Sequence, residues 1–175
     1  MKRREFMTLL GGAAISWPLA VPAQQSQHLR LIGIITNLAE DDPETQRRLG
    51  AFKQRLNELG WREHENVRFE ARWGVGDTEK HRKNASELVA LNPDVILAHG
   101  STIMGPLHRA TASVPIIFVS VADSVAGGFV ASLSHPGGNA IGFISFEYAQ
   151  GGKWIELLKE LAPKVQRVAV VRAAR

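Results

Sequence analysis

The chain of 175 residues is long enough for one well-packed domain and too short for two large ones. Its content of 45% hydrophobic and 22% charged residues is ordinary for a globular protein and excludes a disordered or collagen-like chain. A net charge of +4 is too small to favour a nucleic-acid partner, and the absence of cysteine excludes disulfides and thiol catalysis. The six histidines show no metal-ligand spacing, so we expect neither a metal nor a cofactor.

Residues 1–23 have the three parts of a secretory signal peptide. A basic segment at residues 2–4 precedes a mostly apolar segment at residues 8–20, and small residues lead to a predicted cleavage after Ala23. The apolar segment is too short, and too interrupted by glycine and proline, to make a good membrane-spanning helix. We therefore expect an exported protein that is released into the periplasm.

The start of this segment also resembles a twin-arginine export signal. Arg3 and Arg4 are adjacent, and Phe6 follows at the apolar position that such signals carry. The alternative is an ordinary Sec signal in which two arginines stand side by side by chance.

After residue 28 the hydrophobic pattern predicts strands alternating with helices. Pro43 suits the first turn of a helix, with Asp41 or Asp42 as its cap, and Gly60 is a natural stop. Strands are predicted at residues 29–36, 67–73, 94–99, 114–121, 140–146 and 165–171. Helices are predicted at residues 44–59, 79–91, 103–112, 127–133 and 154–162, and their predicted apolar faces include Leu59 and Leu91.

Such alternation predicts an α/β fold with a doubly wound parallel sheet. Right-handed crossovers make 2-1-3-4-5 the simplest strand order. A ligand crevice is then expected at the carboxyl ends of the strands, beside the switch point between the first and third strands. The loops at that edge are residues 37–42, 99–102 and 122–124.

Polar residues at these strand ends are the candidate ligand contacts. Gly100, Ser101 and Thr102 follow the buried third strand, where N–H groups and hydroxyls could hold a carboxylate. The alternative is that they only cap the next helix, and the two roles are compatible. Asn37 follows the first strand and could hydrogen-bond a ligand, although an Asx-turn explains it equally well.

The turn after the fourth strand adds further candidates. Asp123 could pair with an α-amino group, with capping of its own loop as the alternative, and Ser124 lies in the same polar turn. Trp73 could be an aromatic platform, but packing at the end of an alternating strand explains it better. His99 could line the crevice, but a half-buried histidine with satisfied hydrogen bonds is the simpler interpretation.

Four segments of the chain closely resemble one protein family. They are residues 38–44 (LAEDDPE), 114–123 (VPIIFVSVAD), 130–139 (VASLSHPGGN) and 151–163 (GGKWIELLKELAP). The family is that of ABC transporter substrate-binding proteins related to tryptophan- and other aromatic-amino-acid-binding proteins, with the type I periplasmic-binding fold. The resemblance implies two α/β lobes that clamp a small solute between them. It assigns residues 24–146 to the N-terminal lobe and residues 147–175 to the start of an incomplete C-terminal lobe.

The resemblance further implies a non-enzymatic solute-binding component of an ABC importer. Its partners would be a small solute, possibly an amino acid, and an ABC permease in the inner membrane. The alternative is a truncated single-lobe module that senses a ligand without transporting it.

A hydrolase is disfavoured because Ser101 has no evident catalytic partner and no Gly-x-Ser-x-Gly motif is present. Asp41 and Asp42 suggest a phospho-receiver, but the third strand does not end in aspartate.

Overall fold

A computed structural model describes residues 29–145 and 150–169 of the chain. Five strands and four helices are assigned there, and the predicted signal residues Arg3, Arg4, Phe6 and Ala23 lie outside the described residues. In chain order the elements are β1 (Arg30–Thr36), α1 (Pro43–Glu58), β2 (Val67–Trp73), α2 (Thr78–Ala90), β3 (Val95–His99), α3 (Ser101–Ala110), β4 (Ile116–Val121), β5 (Ala140–Ile144) and α4 (Gln150–Leu161).

The strands form one parallel sheet in the order β2-β1-β3-β4-β5. The predicted α/β fold and the predicted strand order are therefore confirmed. The connection from β1 runs outward to β2, whereas the later strands are added on the other side of β1. This reversal places the switch point between β1 and β3, where a doubly wound sheet opens a crevice.

The first two helices begin at side-chain caps that local sequence specifies. Asp42 accepts a hydrogen bond from the backbone N–H of Thr45 at 2.7 Å, and Pro43 occupies the first turn of α1. Asp77 accepts from the N–H groups of Glu79 and Lys80 at the start of α2. Each cap satisfies donors that have no partner inside the helix, so both helix starts are well determined.

The hydrophobic core lies between the sheet and the pair α2 and α3. Alternate residues of β1, β3 and β4 point to this face, and the side chains of α2 and α3 close over them. Fully buried members of the core are Ile35, Ala85, Leu88, Ile96, Ala98, Ile103, Met104, Leu107, Ile116 and Val121.

The opposite face of the sheet carries α1 and is much less buried. Thr45 is the only buried residue of α1. Toward the β5 edge, Ile117, Ile141 and Phe143 are exposed, the last of them by 73%. The two faces of one sheet therefore differ sharply in how completely they are covered.

Several element predictions are wrong, each for a local reason. Residues 124–128 form turns instead of the predicted helix at 127–133, because Gly128 has φ +72° and interrupts helical geometry. Residues 165–169 are not a strand, and 170–171 lie outside the described part. Leu59 and Leu91 are 60% and 41% exposed, because each is the C-cap residue and not part of a helix interior.

The last two helices begin earlier than predicted. α3 begins at Ser101 and α4 at Gln150, so a glycine pair, Gly151 and Gly152, lies within the first turn of α4. No residue of α4 is buried. Within residues 29–145 and 150–169, no helix has the length and apolar character that crossing a membrane requires.

Candidate functional site

The turns that follow β1, β3 and β4 meet at the carboxyl edge of the sheet. Thr36 pairs with His99 across β1 and β3, and His99 pairs with Val119 across β3 and β4. The backbone N–H of Ala122 donates a hydrogen bond of 2.9 Å to Ser101 Oγ, which ties the turn after β4 to the first turn of α3. The structure thus brings together the three strand ends at which the ligand contacts are predicted.

Gly100 and Asn37 form the contact between the first and second of these turns. Gly100 has φ +96° and ψ 147°, a region that only glycine occupies without strain. A Cβ built on it would lie 2.7 Å from Asn37 Oδ1, so the site also requires glycine for space. Asn37 Oδ1 is buried and has no hydrogen-bond partner among the described residues. A desolvated acceptor without a donor is unfavourable, and a ligand N–H or O–H would satisfy it.

Ser101 and Thr102 form the exposed first turn of α3. The suggestion that their side chains cap this helix is wrong, because Gly100 is the N-cap residue and no side-chain cap bond is present. The first N–H groups of a helix have no partner within it, and the positive end of the helix dipole favours an anion there. The arrangement suits a ligand carboxylate.

Asp123 and Ser124 play different structural roles in the turn after β4. Asp123 has φ +44°, and its Oδ1 accepts a hydrogen bond of 3.0 Å from the N–H of Ala126. It therefore caps its own loop. Ser124 is only 1% exposed and lies behind the turn, where its backbone carbonyl accepts from the N–H of Phe129.

A bulge near the end of β4 turns Ser120 out of the regular ladder. The register between β4 and β5 shifts between Val119 and Val121, and Ser120 has φ +55°. Bulges next to sites commonly redirect a side chain. Ser120 lines a cavity at the same edge of the sheet.

This cavity lies between the first half of α1 and the carboxyl ends of the strands, and its volume is about 490 Å³. That volume falls within the range of small-molecule pockets. Its lining is mostly apolar, with Ile34, Leu38, Leu49, Phe52, Trp73, Leu97 and Val119. Its polar lining residues are Thr36, Thr45, Arg48, His99 and Ser120. We call it the α1 cavity.

His99 is the polar centre of the α1 cavity. Its Nδ1 lies 3.4 Å from Thr36 Oγ1, and its Nε2 lies 3.5 Å from an Arg48 guanidinium nitrogen. Burial, together with the nearby charge of Arg48, lowers the pKa of the His99 imidazole below its ordinary value. Arg48 is itself held by Glu44, whose Oε1 is 2.8 Å from the Arg48 Nε.

Across the described ranges, no group of three or more His, Asp or Glu side chains could hold a metal ion.

The sequence-based choice of residues omitted the α1 side of the site. Thr45, Arg48, Leu49 and Phe52 recur at helical spacing and share one face of α1. That periodicity is visible in the sequence, but it does not distinguish a helix face that packs tightly from one that lines a cavity. The sequence favours packing for Trp73 and a half-buried histidine with satisfied hydrogen bonds for His99. The structure places both in the cavity wall, and His99 is indeed half-buried with both ring nitrogens in contact with polar groups.

Comparison with known proteins gives a consistent result. A family model described as "ABC transporter substrate binding protein" matches residues 32–175. A tyrosine-binding protein from Clostridioides difficile (strain R20291) is 30% identical over 137 residues. That match covers 78% of this chain and 39% of the relative, so the chain spans well under half of the relative's length.

Solved structures show the same fold. A Streptococcus pneumonia ABC domain in complex with L-Trp aligns with a TM-score of 0.64 and 26% identity. A ligand-free, open substrate-binding protein with adhesive properties from Clostridium difficile aligns with a TM-score of 0.63 and 29% identity. A conserved domain protein from Vibrio cholerae gives a TM-score of 0.65 and 25% identity. Each match covers 78% of this chain and 45% of the other.

Proposed function

This chain belongs to the ABC transporter substrate-binding protein family, and we propose that it binds a small solute for an ABC importer. The solute that the site fits best is an amino acid with an aromatic side chain. One observation carries this proposal: the turns after β1, β3 and β4 meet at one edge and are joined there by close contacts. Relatives that bind tyrosine and L-Trp support the choice of solute.

In this proposal the strand-end turns hold the charged end of the amino acid. The Gly100 N–H donates to the Val119 carbonyl, so the N–H groups of Ser101 and Thr102 at the start of α3 take the carboxylate, where the helix dipole adds to the hydrogen bonds. Asn37 Oδ1 accepts from the α-amino group, and this satisfies its buried oxygen. The Asp123 carboxylate lies on the neighbouring turn as the counter-charge to that amino group, with Ser124 supporting the turn from behind.

We further propose that residues 24–146 act as one lobe and that residues 147–175 begin a second lobe. Closure of two lobes over the solute would supply the contacts that a single sheet edge cannot make. A permease in the inner membrane then distinguishes the closed form from the open one. This role places the protein in the periplasm, in agreement with the signal peptide expected at residues 1–23. No catalytic step and no cofactor is needed.

Isothermal titration calorimetry of the purified chain against L-tyrosine, L-tryptophan and L-alanine tests the binding proposal. We expect heat of binding for at least one of the aromatic amino acids at millimolar concentration or below. Asn37→Ala should weaken that binding about tenfold, because a hydrogen bond to a charged ammonium group is lost. Asn57→Ala, on the exposed side of α1, is the matched control and should bind like the parent. No heat with any amino acid would contradict the proposal.

Export is tested separately by expressing the full chain in a bacterial host. We expect periplasmic protein that begins at Gln24, as determined by N-terminal sequencing. Replacing both Arg3 and Arg4 with lysine should abolish export by the twin-arginine route and leave export by the Sec route unchanged. Protein that stays in the cytoplasm with residues 1–23 attached would contradict the proposed location.

A further inference from the structure

The α1 cavity lies at the same edge of the sheet as the proposed site for the charged end of the solute. Thr36 and His99 line the cavity, and they directly precede Asn37 and Gly100 in the chain. A solute whose charged groups lie at the turns therefore has its side chain at the cavity mouth. The turn residues and the cavity residues are thus chain neighbours at both strand ends, which keeps the two parts of the proposed site close together.

The walls of the cavity suit a flat ring. Phe52 from α1 and Trp73 from the end of β2 supply aromatic surfaces, and Leu97 and Val119 supply the apolar sheet face. Aromatic rings gain from apolar burial and from contacts with other rings. The cavity volume of about 490 Å³ leaves room for such a side chain.

Hydrogen bonding around His99 determines which ring nitrogen carries the proton. The guanidinium of Arg48 has only donors, so the Nε2 atom beside it at 3.5 Å must offer its lone pair. The proton is then on Nδ1, which donates to Thr36 Oγ1 at 3.4 Å. Burial keeps the ring neutral near pH 7 because it lowers the imidazole pKa. His99 thus presents an acceptor, Nε2, inside a mostly apolar cavity whose other polar lining residues are Thr36, Thr45, Arg48 and Ser120.

The bond from Arg48 to this acceptor is weak enough to be replaced. A separation of 3.5 Å is at the limit of a hydrogen bond, whereas the bond from Arg48 Nε to Glu44 is 2.8 Å. If a better donor reached His99 Nε2, Arg48 would keep its pairing with Glu44. A donor on the solute can therefore take the place of Arg48 at modest cost.

We propose that the α1 cavity is the side-chain pocket of the solute site and that His99 Nε2 accepts a hydrogen bond from an O–H or N–H group on the ring of the solute. This inference rests on the proposed function and makes His99 a specificity-determining residue. The preferred solutes are then amino acids whose ring carries a donor, such as a phenol or an indole, over those with a plain phenyl ring. A plain phenyl ring offers His99 Nε2 no donor, so it lacks the hydrogen bond that a phenol or an indole forms, and this difference sets the preference.

The test compares L-tyrosine, L-tryptophan, L-phenylalanine and L-alanine by calorimetry on the full chain at pH 7.5. At least one of the first two should bind about tenfold tighter, or more, than L-phenylalanine. His99→Phe should reduce this preference to about twofold or less, and His99→Gln, which retains an acceptor, should restore part of it. His135→Phe, in an exposed loop, is the matched control and should keep the full preference.

A second variant tests the pocket by its volume. Leu49→Trp fills the cavity from α1 and should weaken binding of the aromatic amino acids at least tenfold, with an unchanged far-UV circular dichroism spectrum as the folding control. Equal affinity for the tyrosine, tryptophan and phenylalanine solutes would overturn the role of His99 while leaving the proposed function intact. Full affinity in Leu49→Trp would overturn the pocket. Absence of binding by all four amino acids would instead overturn the proposed function itself.

Discussion

The two faces of the sheet differ in how closely they are packed. On the face covered by α2 and α3, side chains such as Leu88, Ile96 and Phe118 are at most 1% exposed. On the face covered by α1, two cavities of about 490 and 450 Å³ lie beneath the helix, and Phe143 is 73% exposed. Close packing provides stability, whereas a binding face must leave room for a ligand. Most of the folding stability should therefore come from the α2 and α3 face, and the ligand contacts from the α1 face and the strand ends.

Two neighbouring residues of β4 test this difference most strongly. Phe118→Ala removes a side chain that is 1% exposed in the core and should lower the free energy of unfolding by about 3–5 kcal/mol. Ile117→Ala, on the opposite face and 39% exposed, should lower it by about 1 kcal/mol or less. Urea denaturation followed by circular dichroism measures both values. Equal losses for the two variants would show that the faces contribute alike.

A glycine at the strand ends should be more costly to replace than a glycine in α1. Gly100→Ala forces a side chain into a backbone region of φ +96° and toward Asn37, and should cost about 1–3 kcal/mol. Gly50→Ala, in the exposed interior of α1 with nothing within 4 Å, should instead stabilise the protein by about 0.5–1 kcal/mol. Thermal and urea denaturation should show a lower free energy of unfolding for Gly100→Ala and a higher one for Gly50→Ala. A stabilised Gly100→Ala would contradict the strain at this turn.

Removal of a helix cap should have a smaller effect. The Asp77 carboxylate accepts from the N–H groups of Glu79 and Lys80 at 2.9 and 3.1 Å at the start of α2. Asp77→Ala should therefore cost about 1 kcal/mol, whereas Asp77→Asn, which keeps an oxygen acceptor, should cost only a few tenths. If the two variants were equally destabilised in urea, the cap would not be the cause.

The smallest expected effect is a mild sensitivity to acid on the α2 side. His81 is 1% exposed against Gly74, and burial lowers its imidazole pKa, a shift that Lys80 reinforces and Asp77 opposes. The unfolded chain therefore binds a proton at His81 more readily than the folded chain does. The full stability is present above the imidazole pKa of the unfolded chain, about 6.5, and it is lost as the pH falls from there toward the lower pKa of the folded chain. The loss of melting temperature between pH 7.5 and 5 should be smaller in His81→Gln than in His135→Gln. An equal loss would exclude His81 as the source.

The parts of the fold that were predicted correctly depend on local patterns. The Asp42-Pro43 pair and the alternation of apolar strands with amphipathic helices are visible within short windows, and both the α1 cap and the strand order follow from them. The error at residues 127–133 has the same local origin. The helix predicted there gave too little weight to Gly127 and Gly128, which favour the turns that the structure contains.

The α1 cavity was not predicted because its key contacts are distant in sequence. Arg48 and His99 are 51 residues apart, and their approach depends on how α1 lies over the sheet. The spacing of Thr45, Arg48 and Phe52 indicates a helix face that points toward the sheet. Whether that face packs closely or leaves a cavity is a property of the assembled structure. The predicted turns at Asn37 and Gly100, by contrast, follow directly from strand order.

The central claim is that the strand ends and the α1 face bind the solute while the α2 and α3 face maintains the fold. A titration of the ¹⁵N-labelled chain with L-tryptophan, followed by two-dimensional NMR, tests this claim most directly. We predict that the largest amide shift changes occur at Ser101 and Thr102, which bind the carboxylate, and at His99 and Ser120 in the cavity, and that Ala85 and Leu107 in the core change little. Shift changes concentrated along α2 and along α3 beyond its first turn would contradict the account, as would the absence of any change with both L-tryptophan and, in a parallel titration, L-tyrosine at millimolar concentration.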